Sequence, residues 1–127
     1  MILNGVNKQL FSSFLKELVT ILNSHVQEQG IGTIKMAFFD NYIDPESRKD
    51  FSRMMEILDI KKNIIKDLHE LGMKYEIDDF EVINNFVQVI LSIMELNSDI
   101  SISDLAKEHD ITEPVIKIIK SIIKTPN

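Results

Sequence analysis

Cysteine and tryptophan are absent from the 127 residues, and proline and glycine are scarce, at three and four. Without cysteine there is no disulfide and no thiolate metal site, which fits a reducing compartment and makes the cytoplasm the expected location. No run of about eighteen apolar residues occurs, so no transmembrane helix is expected. The first residues, MILNGVNKQL, show no basic region followed by an apolar core, so a secretory signal is not expected either. The glycines build no phosphate loop: Gly30-Ile31-Gly32 is not followed by the further Gly or the Lys-Ser/Thr that cradles a phosphate.

The groups that carry catalysis are missing in the same way. His25, His69 and His109 stand in no HExxH or ExxH arrangement, the spacing by which a helix aims two ligands at one metal. His25 with Glu28 and His109 with Glu113 are better read as solvated helix-surface pairs. The clusters Asp40-Asp44-Glu46 and Glu76-Asp78-Asp79-Glu81 lack the order of a calcium loop and fit acids placed at helix N-termini. No GxSxG occurs, and no Ser pairs recognisably with a His and an orienting acid. The chain is therefore expected not to be an enzyme and to need no cofactor or metal.

What is present is an ordinary globular composition, 44% hydrophobic and 27% charged, long enough to bury a core. The net charge is −6. It is unevenly spread. In residues 101–127, Lys107, Lys117, Lys120 and Lys124 balance Asp104, Glu108, Asp110 and Glu113, so the remainder carries the whole excess. An acidic body argues against general nucleic-acid binding, because phosphate contacts supply most non-specific affinity.

Helical spacing dominates and strand signals are few, so the expected fold class is all-α, with five or six helices. A first helix is predicted from about Asn7 to Gln29, with Leu10, Phe14, Leu18, Ile21 and Leu22 on one face. Gly30-Ile31-Gly32 should end it, and Thr33 should cap a short second helix to about Asn41. Asp44-Pro45 is the clearest start signal: Asp caps, and Pro suits the first helical position. The helix that follows is predicted to reach Leu71 and stop at Gly72, with Phe51, Met54, Met55, Leu58, Ile65 and Leu68 as its apolar set. Asp78-Asp79 should open a helix to about Leu96 that is apolar almost all round. Such a helix is either central to the domain or part of an oligomer interface. The six Met are read as fillers of irregular core gaps. Asn97-Ser98-Asp99 would then separate a helical body, 1–97, from a closing module, 98–127.

That module reads ISDLAKEHDITEPVIKIIKSIIK over 102–124. Leu105 and Ala106 fall on a short first helix, with Ser101 or Ser103 as its cap and Ala106 small enough for a close crossing. Asp110-Ile111-Thr112 falls at a turn. Thr112 can cap a second helix that opens with Glu113 and Pro114 and points Ile116 and Ile119 inward. The pattern SxxDLAKxxxIT followed by an apolar-spaced helix resembles the generic helix-turn-helix superfamily of bacterial and phage regulators, over the last fifth of the chain.

The resemblance implies that the second helix docks in a DNA major groove. The candidate contact residues are Thr112, Glu113, Lys117, Lys120, Ser121 and Lys124. Two departures stand against it. Asp110 occupies a turn position often held by Gly, and the second helix carries no Arg, Gln or Asn to read guanine or adenine bidentately. The same lysines would also serve as the solvated, dipole-compensating end of a last helix.

The expected function is a small DNA-binding transcriptional regulator acting as a homodimer, joined through the 79–96 or the N-terminal helix. The alternative is an acidic helical protein-interaction module, an adaptor, anti-activator or inhibitor, that binds no DNA.

Overall fold

The computed structural model describes residues 8–39, 42–96, 102–109 and 111–124. Asn7, Asp40, Asn41, the separator Asn97-Ser98-Asp99, Ser101 and the turn residue Asp110 lie outside them. Among the described residues every regular element is a helix. There are seven: α1 (Lys8–Gln29), α2 (Ile31–Phe38), α3 (Pro45–Lys49), α4 (Phe51–Lys74), α5 (Phe80–Leu96), α6 (Ile102–His109) and α7 (Glu113–Lys124). None is long and apolar enough to cross a membrane.

The local chemistry explains most boundaries. Gly30 closes α1, its N–H donating to the Val26 carbonyl, and its φ of 90° turns the chain at once into α2. Thr33 is therefore inside α2, and not at its start as expected, because Gly30 already occupies the cap position. Asp44 accepts from the Ser47 N–H at 3.0 Å and opens α3 with Pro45, as the sequence predicts.

The expected single helix from Pro45 divides at Asp50. This residue is extended and accepts from the Arg53 N–H at 3.1 Å, so a second cap starts a new helix six residues after the first. That division accounts for one of the additional helices. Nor is Gly72 the stop of α4. The helix runs on to Lys74, and the reversal falls at Glu76, φ 59°. Gly72 serves close approach instead: Ile77 donates its N–H to the Gly72 carbonyl at 2.8 Å, and a Cβ there would meet the Ile77 carbonyl oxygen at 2.7 Å.

α5 is the centre. Ile83, Phe86, Val87, Val89, Ile90, Leu91 and Ile93 are all buried, over more than half of its circumference. The interior uses this surface, which leaves little of it for a dimer contact. α1 contributes Phe14, Leu15, Leu18 and Leu22 to the same core, and Phe14 and Phe86 meet edge to face, 6.0 Å between centroids. Leu10, expected on that face, is exposed at the helix end.

α4 shows the largest difference in packing. Its core face is Ile57, Ile64, Leu68 and Leu71, whereas Phe51, Met55 and Leu58 of the expected set are 79%, 51% and 52% exposed. The helix has two apolar stripes, and only one turns toward α1 and α2. Met55 and Met73 are exposed, so they fill no gap, whereas Met36, Met54 and Met94 pack against the core. Nor is His25 simply a solvated surface group: it is half-buried and pairs with Asp67 at 2.8 Å, joining α1 to α4.

Candidate functional site

α6 and α7 pack on each other and on α5, and α7 also rests on α1. Three residues connect them. The Ile111 N–H donates back to the Ala106 carbonyl at 3.2 Å, which closes the end of α6. The Thr112 carbonyl accepts from Val115 and Ile116, so Thr112 stands at the cap position of α7 and Glu113 and Pro114 form its first turn, as expected. Ala106 is half-buried and packs against the core.

Amphipathicity fixes the orientation of α7. Val115, Ile116 and Ile119 are buried, and Ile118, Ile122 and Ile123 pack beside them. At 3.6 residues per turn, Glu113, Lys117 and Lys120 fall within about 60° of arc, with Lys117 turned away from that face and Lys120 on its flank. Thr112, Glu113, Lys117 and Ser121 are exposed, and Lys120 is half-buried. Five of the six candidate residues thus lie on the outer side or at the tip of one helix. Lys124 closes the helix, and its side chain, like that of Leu105, lies outside the described residues. α6 adds Ser103, Asp104, Lys107 and Glu108, all exposed. This surface mixes Lys with Asp and Glu. Among the described residues, no group of three or more metal-ligating side chains occurs.

A second arrangement escaped the sequence. Lys35, in the short apolar helix α2, is 2% exposed. Its Nζ donates to Glu95 Oε1 on α5 at 2.5 Å and sits 4.0 Å from the centroid of the Tyr42 ring and 5.3 Å from that of Phe39. Burial alone pushes its pKa down; the hydrogen bonds to Glu95 and Tyr42 outweigh this and hold it above the ordinary lysine value. The ammonium is therefore kept protonated, which suits a clamp between α2 and α5 and not a nucleophile. The signal was a lone cation in an otherwise uncharged helix, which must find an anion if that helix is buried.

A third cluster ties α1 to the end of α4. Glu17 accepts from Lys74 at 2.8 Å and from the Tyr75 hydroxyl. The Lys74 hydrogen bond, then that of Tyr75, lowers the Glu17 pKa, and the bond to Glu17 raises that of Tyr75.

Comparison with protein families, curated proteins and solved structures finds no match for this chain.

Proposed function

We propose that the chain is a small DNA-binding regulator that presents α7 to the major groove, with α6 as the supporting helix. The observation that carries this reading is the mutual packing of α5, α6 and α7, with a three-residue connection and the Lys117 face directed outward. Lys117 and Lys120 contact phosphate or guanine, Thr112 and Ser121 supply hydroxyls, and Glu113 at the tip accepts from cytosine. A single reader covers one half-site, so the reading includes a homodimer.

Fluorescence anisotropy with a labelled duplex tests it. The protein binds selected genomic fragments at low salt, and Lys117→Ala weakens binding and lowers the salt slope by about 1. Absence of binding to a genomic fragment library at low salt refutes it. Light scattering of the free protein checks the dimer.

A second reading, the acidic protein-interaction module, draws on a different observation. Phe51, Met55 and Leu58 form an exposed strip at i, i+4 and i+7 on α4, on a chain of net charge −6. It predicts a co-purifying protein that survives Lys117→Ala and is lost with Phe51→Ser.

A further inference from the structure

We propose that the groove between the end of α4 and the start of α5 binds a Lys or Arg side chain presented by an extended segment of a partner protein. The inference does not depend on whether α7 meets DNA.

The groove has a volume of about 340 Å³. That is at the small end of ligand sites, with room for one long side chain and part of its neighbours. Its wall is apolar: Met73 is 69% exposed and Phe80 40%, with Ile77 half-buried between them in sequence. Two exposed carboxylate residues, Glu76 and Asp78, also line the groove, as does exposed His69. The backbone at Gly72 also lines it, where a Cβ would collide with the Ile77 carbonyl. An aliphatic stem against Met73 and Phe80 with a cationic head for the carboxylates is the description of a lysine or arginine side chain. The aromatic Phe80 in the lining also suits a cationic partner.

The local charge favours the same occupant. No Lys or Arg occurs between Lys74 and Lys107, while Glu76, Asp78, Asp79 and Glu81 crowd one turn. Lys74, the nearest base in sequence, is engaged by Glu17 at 2.8 Å on α1. The helix start explains only part of this cluster. Asp79 accepts from the Glu81 N–H at 3.0 Å and so caps α5, whereas Glu76 and Asp78 precede the helix and face the groove. Such a site repels phosphate, so the occupant is a protein segment and not a nucleic acid.

NMR titration of the full chain tests the proposal. The probe is a blocked hexapeptide alternating arginine and leucine; the same peptide with glutamate for arginine, and spermidine, are the comparisons. The arginine peptide should move the amide resonances of residues 72–80, and the glutamate peptide should not. Spermidine, which carries charge but no apolar neighbours, should bind more weakly. Glu76→Gln and Asp78→Asn should each weaken the arginine peptide by about two- to fivefold, the scale of one exposed ion pair. Met73→Ser should weaken it with an unchanged helical spectrum, because Met73 is at the surface. Equal binding of spermidine or of the glutamate peptide overturns the proposal. So does an unchanged affinity in the two carboxylate variants, or no shift with the arginine peptide.

Discussion

Removing Glu95 should cost far more than removing Lys35, although the two form one ion pair. The ammonium is 2% exposed and the carboxylate 34%. Glu95→Ala leaves a buried cation without its facing anion. Breaking a buried pair in this way costs about 3–5 kcal/mol. The Tyr42 and Phe39 rings, at 4.0 and 5.3 Å, face the ammonium with or without Glu95 and so leave the difference unchanged, whereas the 34% exposure of the carboxylate puts the loss at the low end of that range. A net loss of about 3 kcal/mol follows, or about 10 °C in Tm for a domain of this size. Lys35→Met is different. Met fills the path of the aliphatic stem, and Glu95, already one-third exposed, turns to water. The expected change is within about 1 kcal/mol, since buried pairs are often replaced by apolar groups at little cost. Urea unfolding followed by far-UV circular dichroism measures both. If Lys35→Met costs as much as Glu95→Ala, or if Glu95→Ala costs under about 1 kcal/mol, the desolvation argument is wrong and the ammonium reaches solvent without its partner.

Three further outcomes are expected. Gly72→Ala should destabilise by about 1–3 kcal/mol in the same unfolding assay, despite the better helix propensity of Ala, because the new Cβ lies 2.7 Å from a backbone oxygen and 3.0 Å from Ile83 Cδ1. Asp50→Ala should lower stability by about 1 kcal/mol through loss of the cap on α4, with little change in helix content. Stability should fall at both ends of the pH scale through the Glu17, Lys74 and Tyr75 cluster. Glu17 has a lowered pKa, so its contribution is present above the ordinary value of 4.5 and is lost as pH falls through the lower folded value. Tyr75 has a raised pKa, so its contribution is full below 10.0 and is lost as pH rises through the higher folded value. Tyr75→Phe should flatten the alkaline limb in a thermal-melt series, and an unchanged limb would refute the assignment.

Much of the helical frame was readable because its signals are local. Gly30, Asp44-Pro45, Asp79 and Thr112 act on the backbone within a few residues, so α1, α3, α5 and α7 begin or end close to where their spacing places them. Asp50 was equally local and was missed, since the apolar periodicity runs across it. The candidate interface was legible in the same sense: Ile116 and Ile119 inward at helical spacing put Lys117 outward without reference to the rest of the fold.

Composition and periodicity by themselves determined an all-helical chain with α5 apolar on both sides and an amphipathic last helix. They did not determine which stripe of α4 is buried, because Phe51-Met55-Leu58 and Ile57-Ile64-Leu68-Leu71 are both apolar and the choice depends on where α1 and α2 pack. Nor could they pair residues such as Lys35 with Glu95, Glu17 with Tyr75 or His25 with Asp67, which lie 60, 58 and 42 positions apart. They equally did not show that the residues after Gly72 fold back to leave a groove. Hydrogen bonds within one turn are fixed by neighbouring residues. Contacts between helices depend on the orientation each takes in a shared core, and only the tertiary structure decides that.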